Sequence, residues 1–158
     1  MSPEKINSDE HKFYVENLLF NHDIQIQSQF IRDLSFEKKA DYDAFQDDLK
    51  GKTDFSLNIE VENKQLNENL IIVSLIVSLE AKINNKTAFI LEMTYCGIFE
   101  FPNVNEEILK KQIQVECPKI LFPYIRRIIS QMMIESGMPN IDIKNINFFD
   151  LYKSNKKI

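Results

Sequence analysis

The chain has no tryptophan and only three glycines, five prolines and two cysteines among its 158 residues, and these scarcities each remove a class of protein. Gly51, Gly97 and Gly137 are scattered, so they build neither a phosphate-cradling loop nor a dinucleotide fingerprint, both of which need several glycines in one turn. Cys96 and Cys117 are too few for a disulfide scaffold and too far apart for a zinc knuckle; a reducing compartment suits them, and they read as small buried hydrophobes. His11 and His22 lie in the N-terminal arm, away from both thiols, so neither a metal site nor any other cofactor is expected. Nineteen Lys and Arg against 24 Asp and Glu give a net charge of −5, which disfavours nucleic acid because phosphate binding needs clustered cations. The longest apolar run, Leu70 to Leu79, is broken by Ser74 and Ser78 and is about half of what a membrane-spanning helix requires. The opening MSPEKINSDEHK mixes both charge signs and does not read as a secretory signal, so a cytoplasmic location is expected.

What remains is the composition of one folded domain, 44% hydrophobic and 27% charged, at a length that supports a single core. From Ile24 to Glu37 the pattern alternates, with Ile24, Ile26, Phe30, Leu34 and Phe36 on one face and Gln25, Gln27, Gln29, Asp33 and Glu37 on the other. A polar, acidic segment from Lys38 to Asp54 leads to a second alternating run, Phe55, Leu57, Ile59 and Val61 against Ser56, Asn58, Glu60 and Glu62. Leu70 to Ile83 is rich in β-branched residues and predicts a central strand. Asn84 and Asn85 then turn the chain into a fourth strand, where Phe89, Leu91, Met93, Tyr95, Phe99 and Phe101 face one way and Ile90, Glu92, Thr94 and Glu100 the other.

Beyond Pro102 the period becomes helical. Asn105 is placed to cap EEILKKQIQVE, with Pro118 ending or restarting that helix. From Lys119 to Ser136 an apolar stripe of Leu121, Ile125, Ile128, Ile129, Met132 and Met133 predicts a long amphipathic helix, bent in its first turns by Pro123 unless it begins there, and stopped by Gly137 and Pro139. A short element, Asn147 to Lys153, comes last. The expected class is α+β, a four-stranded antiparallel sheet with a long amphipathic helix and a short C-terminal helix on one face. Residues 1–23 read as a peripheral arm, 24–152 as the domain and 153–158 as a frayed basic tail. No nucleophile, metal cluster or phosphate loop is visible, so catalysis is not expected.

Four stretches in order carry a resemblance: RDLSFE at Arg32 to Glu37, TAFILEMTYCGIF at Thr87 to Phe99, CPKILFPYIRR at Cys117 to Arg127 and INFFDLY at Ile146 to Tyr152. Together they resemble the bacterial protein-export chaperone family SecB. The resemblance implies a non-enzymatic, ATP-independent cytoplasmic chaperone that binds unfolded precursor polypeptides and delivers them to the motor ATPase SecA. It also implies a homotetramer, a dimer of dimers with the long helices packed between two sheet layers. By the same resemblance Asp33, Glu37, Ile90 and Glu92 form the surface that docks the zinc-bearing C-terminal tail of SecA, and Phe45, Leu49, Phe89, Tyr124, Phe148 and Tyr152 line the client groove.

Each assignment has a plainer counterpart. Exposed carboxylates commonly do no more than solvate a sheet face, and a single aromatic in a domain of this size is most often core. Phe45 and Leu49 stand apart, because nothing in their acidic loop explains burial. Leu91, Met93, Tyr95, Ile125, Ile128, Ile129 and Met132 suit both a subunit core and an oligomer interface, since a stripe this wide contacts two neighbours. Rival functions are a SecB-like chaperone dedicated to one client such as an antitoxin, a small-ligand carrier or enzyme on the same layers, and a purely structural protein. The chain departs from the family in lacking the Trp common near Leu49, in having Asn145 where a proline is common, and in its longer arm and basic tail.

Overall fold

In the computed structural model, residues 8–9, 11–12, 24–39, 53–101, 105–138 and 141–155 are described. Strands β1 (Gln25–Lys38), β2 (Thr53–Gln65), β3 (Leu70–Ile83) and β4 (Lys86–Glu100) form one antiparallel sheet in the order β1-β4-β3-β2. The central hairpin is set by Asn84 and Asn85, both at positive φ (51° and 64°), the conformation that matches a two-residue turn to the right-handed twist of the strands. At the other end of β3, the Asn67 side chain accepts hydrogen bonds from the Asn69 and Leu70 amides, 3.0 and 2.9 Å away, and closes the turn from β2.

Pairing assigns the faces, because residues opposite one another across antiparallel strands project to the same side. Ile71, Val73, Leu75, Val77, Leu79 and Ala81 of β3 pair with Phe99, Gly97, Tyr95, Met93, Leu91 and Phe89 of β4, and all of these residues are buried. The other face carries Ile76, Ser78 and Glu80 against Thr94, Glu92 and Ile90.

The strict alternation expected of β1 does not hold. Its register against β4 shifts between Ile26 and Ser28 and again between Ile31 and Asp33, two bulges that each insert a residue and reverse the alternation. Phe30 therefore pairs with Cys96 and lies on the face opposite Leu34 and Phe36, while Ile31, opposite Tyr95, takes the core side.

Helix α1 (Glu106–Lys111) begins at Asn105, whose side chain accepts from the Glu107 amide at 2.8 Å, with Glu106 and Glu107 complementing the dipole. Pro118 neither ends nor restarts the helical path. The chain passes through a π-helical stretch, Gln112–Glu116, directly into α2 (Cys117–Glu135). The Cys117 amide bonds Gln112 O five residues back, and this widened turn accommodates a proline that has no N–H and needs room before it. Pro123 is likewise carried inside α2. The helix ends in a Schellman motif: Gly137, at φ 68°, donates to Ile134 O and Met138 to Met133 O, with Met138 and Met133 both buried.

Leu121, Ile125, Ile129 and Met133 of α2 lie on the apolar sheet face. The closest approach is at Gly97, where a Cβ would stand 2.6 Å from the Phe99 ring and 2.9 Å from Leu121 Cδ2. Helix α3 (Phe148–Asn155) is capped by Asn147, which accepts from the Phe149 and Asp150 amides. It extends to Asn155, with Lys153 lying 4.6 Å over the Phe149 ring and Ser154 Oγ donating to Leu151 O.

Candidate binding surfaces

The face of the sheet that no described helix covers gathers carboxylates in rows. Ser35, Glu92, Ser78 and Asn58 form one row across all four strands. On one side of it runs Glu37, Ile90, Glu80 and Ser56, and on the other Asp33, Thr94, Ile76 and Glu60. Asp33, Glu37 and Glu92 are exposed and Ile90 is half-buried, so the four residues assigned to one surface do share one patch. Glu92 stands between two serines, with no large neighbour in its own row to screen it.

Glu80 and Glu60 complete the patch, and the sequence reading does not single them out. The alternation of β2 and β3 is enough to put them on the polar face; what it lacks is the strand order. Glu80 accepts from Thr87 Oγ1 at 2.8 Å and lies 3.9 Å from Lys82 Nζ, and Glu37 pairs with Lys39. These are surface pairs and contribute little to folding.

The residues assigned to the client groove divide. Phe45 and Leu49 lie outside the described residues. Phe89 and Phe148 are each 1% exposed, Phe89 stacked on Phe36 with centroids 5.7 Å apart and Phe148 edge-on to Phe122 at 5.6 Å. Tyr124 is 39% exposed, and Tyr152 is half-buried. Tyr152 borders a cavity of about 400 Å³ lined by Asn63, Lys110, Ile113, Gln114 and Asn155, a size in the range of small-molecule and side-chain sites.

The interface set also divides. Leu91, Met93, Ile125 and Ile129 are buried within one subunit, whereas Ile128 and Met132 are half-buried. Beside them Ile120, Tyr124, Arg127, Gln131 and Ile134 are exposed at three- and four-residue spacing, a second stripe along α2 that nothing within the described subunit covers. Tyr95 touches this stripe through Tyr124; burial, then the neighbouring Tyr124, push its phenol above the ordinary range, and Arg127 acts in the opposite direction.

Among the described residues no three His, Cys, Asp or Glu side chains converge on a metal position, and no helix is long and apolar enough to cross a membrane. A sheet that offers one open acidic face and carries a helix with an uncovered apolar stripe defines a protein built around binding surfaces.

The comparisons with known proteins give that class its family. The family described as Preprotein translocase subunit SecB matches residues 20–158. The chain is 33% identical to the protein-export protein SecB of Ruegeria pomeroyi and 32% identical to that of Roseobacter denitrificans, in each case over 83% of this chain and 80% of the relative. It is 32% identical to SecB of Nitrosococcus oceani over 80% of this chain and 77% of that one. The chain belongs to the SecB family, whose members are non-enzymatic, cytoplasmic protein-export chaperones. Among solved structures, a SecB-like chaperone of Mycobacterium tuberculosis, in complex with a peptide from an antitoxin, superposes with a TM-score of 0.67 over 80% of this chain and 93% of its own at 13% identity, which establishes the shared fold.

Proposed function

We propose that the chain holds unfolded precursor polypeptides without ATP and passes them to SecA, with the carboxylate rows of the open face as the SecA-tail surface. The observation that carries this is the grouping of Asp33, Glu37, Ile90 and Glu92 on a single patch that no described helix covers, although β1 and β4 are far apart in sequence. A basic peptide meeting this face finds several carboxylates within one or two strand spacings of about 4.8 Å and an apolar contact at Ile90. Attraction of this kind steers encounter and fixes register more than it adds raw affinity.

Client holding falls to the accessible Tyr124 and half-buried Tyr152 together with Phe45 and Leu49, while Phe89 and Phe148, each 1% exposed, support these side chains from the core and do not meet the client in this state. An extended chain loses much of each contact to ordering, so affinity accumulates over many weak contacts along a long client. The second stripe of α2 supports assembly into a dimer of dimers, since it leaves Ile120, Ile128, Met132 and Ile134 to be covered by another copy. Residues 24–152 act as the chaperone unit, flanked by the arm and the basic tail.

Native mass spectrometry, alone and with a permanently unfolded polypeptide, tests the reading: a tetramer that gains one client supports it. A monomer that ignores the unfolded chain overturns it.

A further inference from the structure

Most acids of the helix layer are satisfied within it. Glu106 and Glu107 pair with Lys110 and Lys111, Glu116 with Lys119 and Asp150 with Lys153, and Glu135 accepts from Gln131 at 2.7 Å. One place departs from this. A notch of about 280 Å³ lies between the middle of α2 and the segment 141–143, with Pro123, Ile141 and Ile143 as apolar walls and Arg126, Arg127 and Asp142 as its charges. Among the described residues none of these three charges forms an ion pair or a hydrogen bond. Arg126 is half-buried and lies 5.7 Å over the Phe122 ring, an aromatic face that supplies part of what a carboxylate would. Arg127 and Asp142 are exposed and have no such substitute.

A charge in open water needs no partner, but Arg127 is also part of the uncovered stripe, with Tyr124 before it and Gln131 after it. A second copy that covers Ile120, Ile128, Met132 and Ile134 takes this guanidinium out of water, and a buried cation left unpaired is costly. The covering surface therefore has to bring an acceptor. In a twofold contact each copy presents to the other what it receives, so the acceptor is sought on this chain. Asp142 is, among the described acids of the helix layer, the one without a partner in its own subunit, and it lines the same notch as Arg127.

We infer that two copies meet across this notch with Arg127 of each bonded to Asp142 of the other, an inference that rests on the assembly reading above. Because both members of the pair line one notch, the twofold axis passes beside it, and Pro123, Ile141 and Ile143 close around the two pairs. A buried pair of this kind adds little affinity over an apolar contact, but it makes a mismatched contact expensive. The notch thus fixes the register of the contact along α2 and selects a second copy of this chain over other apolar surfaces.

Charge reversal in the full chain tests the pairing. Arg127→Glu alone and Asp142→Arg alone each set like charges opposite one another twice, and each should raise the concentration at which the assembly dissociates in sedimentation runs on the order of a hundredfold. An equimolar mixture of the two variants should assemble near the parent's concentration, because the two reversed charges then face each other and the two unaltered ones do likewise. Single variants that assemble like the parent, or a mixture that does not recover, overturn the proposal. If either variant loses the parent's circular dichroism, the conservative Arg127→Lys decides: carbodiimide treatment of mixed unlabelled and heavy-nitrogen chains should join position 127 to Asp142 in peptides of mixed isotope. Joined peptides of a single isotope only, or none, overturn it. Client holding measured on the same samples keeps the two readings apart. An assembled parent that ignores an unfolded polypeptide removes the holding and leaves the pair standing, whereas a parent that never assembles removes the assembly and the pair together.

Discussion

Tyr95 of β4 lies against Tyr124 of α2 with ring centroids 6.4 Å apart and planes 12° from parallel. One ring is buried and the other is 39% exposed, so the pair joins the subunit core to the uncovered stripe. Stacked aromatic pairs contribute about 0.5–1.5 kcal/mol beyond their buried area. Tyr124→Ala is therefore expected to leave the subunit folded but to lower its stability by about 0.5–1.5 kcal/mol beyond the lost burial, measured as a fall in the urea midpoint.

Glu92→Lys places a cation between Ser35 and Ser78, in the middle of the carboxylate rows. Assembly and client holding should be unaffected, while binding of a peptide with the SecA C-terminal tail sequence falls below detection by calorimetry. Loss of the assembly instead would show that Glu92 does not face outward.

Gly97→Ala adds a methyl where Phe99 and Leu121 already stand within 3 Å. Overpacking of this kind costs about 1–3 kcal/mol, and the urea midpoint should fall accordingly. Combining it with Leu121→Ala should give less than the sum of the two single losses, because the second change vacates the space the first needs.

Burial, and behind it the neighbouring Glu116, push the Cys117 thiol well above its ordinary 9.0. The folded state keeps the proton longer than the unfolded chain does, so this group's stabilising contribution is complete below the unfolded value and is lost as pH rises through the folded one. Stability should decline above pH 9 more steeply in the parent chain than in Cys117→Ala, measured by urea unfolding at several pH values. Below that range the folded thiol should resist alkylation and react once the chain is unfolded.

Most of the architecture is legible in the sequence because β2, β3 and β4 keep a period of two almost throughout, and because Asn84, Asn85 and Asn105 are residues whose chemistry makes turns and caps. Phe30 misleads because a bulge leaves no mark in the alternation itself; only pairing with β4 shows that Ile31 has taken its side. Pro118 misleads for a related reason, since the signal for a helix break is local and the widened turn that absorbs it is not. The acidic patch is half legible. Asp33, Glu37 and Glu92 fall on polar faces by alternation, but their grouping with Glu80 and Glu60 depends on a strand order in which β1 and β2 lie at opposite edges.

The π-helical turn also keeps the helix in phase. From Leu109 through Ile113, Cys117, Leu121, Ile125 and Ile129 to Met133, the inward-facing residues recur strictly every fourth position, and in an ordinary α-helix each such step overshoots a full turn by about 40°. The wider turn at Gln112–Glu116 winds part of that drift back, so Leu109 and Ile113 address the same core as Leu121 and Ile125. Removing one residue from this stretch would act as a rotation of roughly 100°, carrying the stripe of Ile120, Tyr124 and Ile134 away from its outward bearing without altering a single side chain on it.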